Sequence, residues 1–479
     1  MLGIIGLAYQ CARSRRQFAI VLLFFILTGV AIVVYLNQTP GQPRERDYSF
    51  VGSFYAWCIW IGMGACFLAE EAASLWSATR RRMLRRPVAV VLMLAVVAVP
   101  VVMAVENFPD HDRSGRYATR DYALNMLEPL PKNAVIFVNG DNFTFPLWYL
   151  QEVEGKRPDV RTVNLAYTAT PWYVLQLAVP GPGSPALKLG IPAEKMNLPA
   201  LTRYLVVNIG HGTADARTAI GRLFSTTPLP DKRPTIAADS LRLPMPGGND
   251  SVTVSLRDVS GGKSYIRLDR LIMLSIIAHN TDRPIYWQSS IGDHNFLTLK
   301  SQTTPEALNR RLSGRAAALG TDSLMRTARI ILKHFRGGNL NEARFADMPA
   351  RWQALSMREM TLSTAVSLLK TSLSGDSVRI DAARRLLLFA DKAFPADKVP
   401  LTAHKSADTE CTTDAALFSE AWGLLYSRTG RPEYLNLSRR YAATDARIRR
   451  QYSDYINALS PRYRQYTKTS TRLLAAPAE

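Results

Sequence analysis

Phe18–Leu36 reads FAIVLLFFILTGVAIVVYL, 19 residues without a charge. About 20 apolar residues in a helix cross a hydrocarbon core, and somewhat fewer suffice where the bilayer thins. Two further uncharged runs follow, Phe50–Ala69 (20 residues) and Val88–Val105 (18 residues). Soluble cores seldom present three such runs in succession, so the stretch predicts three transmembrane helices. The near-zero mean hydropathy of the chain conceals this, because nearly all the long apolar runs lie in the first 105 of 479 residues.

The arginines orient the spans. Arg13, Arg15 and Arg16 precede the first, and Arg80, Arg81, Arg82, Arg85 and Arg86 fill the connection from second to third. The connection from first to second holds Arg44, Glu45, Arg46 and Asp47, which sum to zero. The positive-inside rule places the arginine-rich connections in the cytoplasm, so everything after Val105 is expected outside it. Met1–Tyr9 is apolar but lacks the positive leader and cleavage site of a signal peptide and is too short to span. It reads either as the end of a helix from a longer polytopic protein or as an interfacial segment.

With 47% apolar residues overall, the chain supports real cores. Four scattered cysteines, Cys11, Cys58, Cys66 and Cys411, predict no intramolecular disulfide. Net charge is +6 over the first 104 residues and +14 over the other 375, spread without a basic stripe. That excludes nucleic acid as the natural partner and suits an outer domain beside anionic headgroups or lipid-linked phosphates.

From Ala134 the pattern alternates. Ala134–Asn139 (AVIFVN) is a buried strand, Gly140-Asp141-Asn142 a turn, Phe143–Glu154 a helix, Val160–Leu165 the next strand, and Thr170 caps a helix opened by Pro171. Strands buried on both faces and joined through helices predict a parallel sheet. Further strands are expected at Tyr204–Ile209, Val252–Leu256 and Pro284–Gln288, a helix at Leu268–His279, and long loops at Pro180–Pro199 and Pro228–Asp250. Past Thr304 strand signals cease, and helices are expected at Pro305–Ala318, Thr321–Phe335, Trp352–Leu373, Ser377–Ala393, Asp414–Thr429 and Pro432–Leu459. The last two, joined at Gly430, resemble one tetratricopeptide-like hairpin. The fold class is thus a membrane α-helical region (1–104), an extracytoplasmic α/β domain (105–303) and a C-terminal α-helical tail (304–479).

Strong catalytic motifs are absent, and Gly262-Lys263-Ser264 only mimics the end of a phosphate loop, since Arg257 stands where its first glycine belongs. Three polar constellations remain. Arg44 and Arg46, at membrane-surface height, suit a bidentate grip on a lipid-linked phosphate or are self-paired loop charges. Asp110, His111, Asp112 and Arg113, just past the third span, suit acid–base work or a divalent ion, or form a salt-bridged cap. Asn139, Asp141 and Asn142, with Asn164 and Tyr167 from the next strand, lie where open parallel sheets bind ligands, and the same residue types serve as turns and caps.

Those three segments carry a resemblance. Tyr35–Tyr48 (YLNQTPGQPRERDY), Asp110–Tyr117 (DHDRSGRY) and Asn139–Tyr149 (NGDNFTFPLWY) with Glu152–Gly155 (EVEG) look like a bacterial family of multi-pass membrane proteins, long known as a domain of unknown function. That family is similar to the eukaryotic transmembrane protein O-mannosyltransferases, of glycosyltransferase class C. The pattern departs at Phe143 and Pro171, where the family carries Asp. The resemblance implies transfer of a sugar from a polyprenyl-phosphate donor to protein hydroxyls at the outer face of a bacterial inner membrane. It also implies that the catalytic base loop lies N-terminal to this chain, which would be the C-terminal part or a split subunit. The partners implied are membrane lipid, the lipid-linked sugar, an N-terminal half protein and an acceptor protein, and no cofactor or metal is expected. A membrane-anchored binding or scaffold protein without enzymatic activity is the alternative.

The orientation is testable with fusions. A reporter joined after Glu479 is expected to be active only outside the cytoplasm, and one inserted at Met83 only inside; the reverse at either site overturns the three-span topology.

Overall fold

The structure, a computed structural model, describes residues 1–37, 46–77, 82–191, 206–225, 234–247, 250–313, 321–340, 342, 348–373, 375–401, 403–405 and 411–458. It divides into two compact units, Met1–Ser114 and Gly115–Glu479.

The first unit is helical: α1 (Leu2–Arg13), α2 (Arg15–Thr28), α3 (Val30–Leu36), α4 (Val51–Ser77) and α5 (Arg82–His111). Three stretches are long and apolar enough to cross a membrane, Arg15–Leu36, Asp47–Ser77 and Arg86–Phe108, and each contains one of the runs read from sequence. The opening segment is more than a surface element. α1 lies against α4 so closely that a Cβ on Gly6 would collide with the Trp60 carbonyl and one on Gly64 with that of Leu2. Glycine at these positions lets two backbones approach where side chains would hold them apart. Polar groups are matched at the contact: Trp60 Nε1 donates to Gln10 Oε1 at 2.7 Å, and the Tyr9 hydroxyl donates to Glu70 at 2.8 Å.

The second unit opens with α6 (Ala118–Leu127), β1 (Val135–Val138), α7 (Asp141–Trp148, continued by a π-helical turn Tyr149–Val153), β2 (Arg161–Asn164) and α8 (Pro171–Leu177). There follow β3 (Val206–Ile209), β4 (Thr213–Asp215), α9 (Ala216–Ser225), β5 (Thr235–Ile236), β6 (Ser240–Pro244), β7 (Ser251–Ser255), α10 (Leu256–Val259), β8 (Tyr265–Arg267), α11 (Leu268–His279) and β9 (Ile285–Gln288). The chain closes with β10 (Thr303–Glu306), β11 (Asn309–Leu312), α12 (Thr321–His334), α13 (Met348–Thr371), α14 (Ser377–Ala393), β12 (Ala403–Lys405), β13 (Cys411–Thr413), α15 (Asp414–Thr429) and α16 (Pro432–Ala458).

The main sheet has the order β10-β11-β9-β1-β2, with β9, β1 and β2 parallel and the β10–β11 hairpin antiparallel. Its middle strand is covered on both faces. Val135 and Phe137 enter a core with α8, α9 and α11, while Ile136 and Val138 enter a second core with α6 and the C-terminal helices. Two three-stranded sheets, β5-β3-β8 and β4-β6-β7, extend the first of these cores.

Three sequence expectations fail here, the first being that strands cease past Thr304: β12 pairs antiparallel with β13 among the C-terminal helices, Ala403 opposite Thr413. Pro305–Ala318, read as a helix, contains β10 and β11, because Ala307 turns the chain at φ +55° and Arg310 and Arg311 then pair with Trp287 and Tyr286 of β9. Pro305 is tolerated because β10 is an edge strand. Pro228–Asp250, read as a loop, contains β5 and β6; Leu241 and Leu243 are buried on either side of exposed Arg242, a strand alternation hidden between prolines.

The C-terminal helices converge on a buried cation. Arg358 of α13 has no solvent exposure; its Nε donates to Asp414 at 2.7 Å and its Nη1 to the Phe394 and Val399 carbonyls at 3.1 and 2.6 Å. Burial pulls the guanidinium below its usual range, and the Asp414 carboxylate opposes that. The expected cost of Arg358→Ala or Asp414→Ala is about 3–5 kcal/mol, since either leaves a buried charge without its counter-charge, whereas Arg358→Met with Asp414→Leu should recover most of it. Equilibrium unfolding of the three variants checks this; a cost below about 1 kcal/mol for both single changes contradicts it.

Candidate functional site

β1 runs out at Val138 into Asn139 and Gly140, whose φ of +91° with ψ of 152° suits only glycine and turns the chain into α7. Pro146 inside α7 has no N–H for the Asn142 carbonyl, and Gln353 Nε2 of α13 donates to that carbonyl instead, at 3.2 Å. The carboxyl ends of β2, β1 and β9 then lie side by side. Asn164 pairs in register with Val138, and Asn309 of β11 with Gln288 of β9. Asn164, Gln288 and Asn309 are all buried. Each makes one strong bond, Asn164 Oδ1 from Ala166 N–H (2.8 Å), Asn309 Nδ2 to the Met126 carbonyl (2.9 Å) and Gln288 Nε2 to Ser290 Oγ. Each also keeps one amide atom without a protein partner: Asn164 Nδ2, Gln288 Oε1 and Asn309 Oδ1. The buried Tyr122 phenol, near Gln288 and Ser290, is pushed up to about 12 by burial and remains a hydroxyl at physiological pH.

Above β2 the same strand ends carry aromatic rings. Trp148 stacks on Tyr167 (6.2 Å, 22°), and Tyr167 in turn meets Trp172 (5.7 Å) and Tyr173 (5.7 Å). Phe145 and Trp172 remain about half exposed. Trp148, Trp172 and Tyr173 wall a groove of about 530 Å³ along the sheet edge, with Glu152, Arg161 and Gln176 among its polar lining.

That edge is closed to another strand. Arg161 and Leu165 send their N–H groups to β1, so Val160, Thr162 and Asn164 face outward. Gln151 Nε2 donates to the Val160 carbonyl (2.7 Å), and the Tyr173 hydroxyl accepts from Asn164 N–H (2.8 Å) and donates to the Thr162 carbonyl (3.3 Å). Burial pushes the Tyr173 phenol up to about 12, so it stays a donor.

The residues singled out from sequence fall in different places. Asn139 is half-buried, and Asp141 and Asn142 are exposed, all three beside the β1 end. Arg44 lies outside the described residues; Arg46 is exposed, its carbonyl accepting from Ser49 N–H at 2.9 Å. At the end of α5, where the Asp110 side chain lies outside the described residues, His111 Nδ1 sits 2.9 Å from the Asn107 carbonyl, Asp112 Oδ1 accepts from Ser114 N–H at 2.9 Å, and Arg113 is exposed. These are helix-end and turn contacts, and no group of three metal-binding side chains occurs among the described residues. The aromatic groove escaped the sequence reading. Its signal was a near repeat, Pro146-Leu147-Trp148-Tyr149-Leu150-Gln151 and Pro171-Trp172-Tyr173-Val174-Leu175-Gln176, which sets a Trp-Tyr pair on each flanking helix.

Removing one hydroxyl tests the edge. Tyr173→Phe leaves Asn164 N–H and the Thr162 carbonyl without their cover and is expected to cost about 1–3 kcal/mol of unfolding free energy. An unchanged denaturation midpoint contradicts that role.

Comparison with known proteins places this region. The family described as TMEM260-associated domain 2 matches residues 119–219, from α6 into α9. A protein O-mannosyl-transferase, tmem260 of Dictyostelium discoideum, is 31% identical over 67 residues, 14% of this chain and 8% of that protein. No solved structure matches.

Proposed function

We propose that the chain forms part of a membrane-bound glycosyltransferase-like protein that moves a sugar from a polyprenyl-phosphate donor to a protein hydroxyl at the outer face. One observation carries the reading. Three membrane-competent helices lead, on a single chain, into an α/β unit whose residues 119–219 match a domain associated with TMEM260. The short similarity to an O-mannosyl-transferase supports the same class of chemistry.

In such a transfer the acceptor oxygen attacks the anomeric carbon, the bond from that carbon to the phosphate oxygen breaks, and the acceptor proton passes to a carboxylate base. The leaving polyprenyl phosphate gains charge. Arg44 and Arg46 are assigned to that phosphate, because a guanidinium binds two phosphate oxygens at once where an ammonium binds as a point charge. The base is assigned to a membrane loop other than the short Asn37–Tyr48 connection, whose acids Glu45 and Asp47 stand among the arginines Arg44 and Arg46. The strand-end residues Asn139, Asp141 and Asn142 and the segment Asp110 to Arg113 are assigned to acceptor and headgroup contacts.

The test is reconstitution of the full chain in lipid nanodiscs with polyprenyl-phosphate mannose. Arg44→Lys and Arg46→Lys should each weaken donor binding about tenfold at unchanged melting temperature, and transfer to a hydroxyl peptide should require a co-reconstituted membrane polypeptide that supplies the base. Donor binding equal in wild type and both variants removes the arginines from the site. The absence of any donor binding leaves the membrane-anchored binding protein as the better reading.

A further inference from the structure

We propose that the groove beside β2 is a carbohydrate-binding site that takes a neutral pyranose, its apolar ring face on Trp172 and its hydroxyls on Glu152 and Gln176. About 530 Å³ falls within the roughly 300–1,000 Å³ usual for small-molecule sites, and aromatic walls with a few polar groups are the usual lining of such sites.

Elimination identifies the ligand. A polypeptide strand is disfavoured at the edge, because the outward Val160 and Thr162 carbonyls and the Asn164 N–H are already bonded to Gln151 and Tyr173. A phosphate or anionic headgroup finds a single cation, partly engaged by backbone carbonyls and offset by a neighbouring carboxylate. Arg161 is the one cation among the described lining residues, and its Nη2 donates to the Gln176 and Val179 carbonyls at 2.5 and 2.9 Å. Glu152 beside it would repel an anion, and covering that carboxylate with an acyl chain would desolvate it without compensation. What fits is an uncharged ligand with one apolar face and several hydroxyls.

The groups left over match that description. Glu152 and Gln176 are exposed and their side chains make no hydrogen bond among the described residues, giving acceptors for hydroxyl protons and an amide that both donates and accepts. The platform is rigid before any ligand arrives. Trp172 is held against Tyr167 at 5.7 Å and Tyr173 at 5.4 Å, so little side-chain entropy is lost on binding.

The experiment uses the full chain in nanodiscs, since glycosidic detergents would compete. Methyl α-mannopyranoside, methyl β-glucopyranoside and maltose are titrated by saturation-transfer NMR and tryptophan fluorescence, with polyprenyl-phosphate mannose in the bilayer as a separate arm. Saturable binding is expected, weakened at least about tenfold by Trp172→Ala and by Glu152→Gln and unchanged by Trp352→Ala, a tryptophan even more exposed but on α13. A stronger response to soluble sugar assigns the groove to free or protein-linked glycans, and a stronger one to the lipid arm assigns it to the donor. If Trp172→Ala misfolds by circular dichroism, Gln176→Ala on the exposed rim replaces it. The proposal is overturned if wild type binds no pyranoside, if the folded variants bind like wild type, or if phosphate or a hydroxyl peptide saturates the groove and pyranosides do not compete. It stands apart from the transferase reading: pyranoside binding without donor recognition supports the site and counts against that reading, and transfer without pyranoside binding does the reverse.

Discussion

Ala134 to Val138 have no exposure to water on either face, and that double burial organises everything after the membrane helices. A strand with two apolar faces has to be covered twice, which calls for helices on both sides and parallel neighbours joined through them. Its two faces accordingly head two separate cores. The consequence for function is geometric. With both faces and both flanks covered, the carboxyl ends of β2, β1 and β9 are the natural place for polar groups of the sheet to meet a ligand.

Polar groups inside this protein follow the same rule of compensation. Arg358 is buried completely and collects a carboxylate and three carbonyls, those of Phe394, Val399 and Pro400, from segments far apart in sequence. The Asn142 carbonyl, freed by Pro146, is met by Gln353. The amide row of Asn164, Gln288 and Asn309 departs from full compensation, each keeping one buried atom without a protein partner. A buried amide group left so costs free energy, so the row lies where a ligand or a trapped water would bring the largest gain.

The aromatic groove turns a liability into a surface. β2 is a sheet edge, the position at which unwanted strand pairing begins. Tyr173 and Gln151 cover it by bonding the Val160 and Thr162 carbonyls and the Asn164 N–H, and the rings that accompany them wall a cleft with Arg161 as its one cation among the described lining residues. The region matched to the TMEM260-associated domain contains this whole arrangement.

Local signals sufficed for much of the chain. The three apolar runs, the capped helices Ser377–Ala393 and Asp414–Thr429, and the strands near Ala134, Val160 and Pro284 follow from hydrophobic period, Pro and Gly punctuation and capping, all contained within a few turns of chain. Asn139, Asp141 and Asn142 were legible as strand-end residues for the same reason. The rest depended on residues distant in sequence. β11 is a strand because β9 offers it a ladder, and β10 because β11 does, and nothing inside Pro305–Ala318 announces β9 as the partner. The α1–α4 contact rests on Gly6 meeting Trp60, and the groove on two helices set by a sheet edge between them. Composition and period fix what a segment prefers by itself; which orphaned carbonyl, glycine face or ring it then meets is decided by tertiary packing, whose energies arise only between segments already folded.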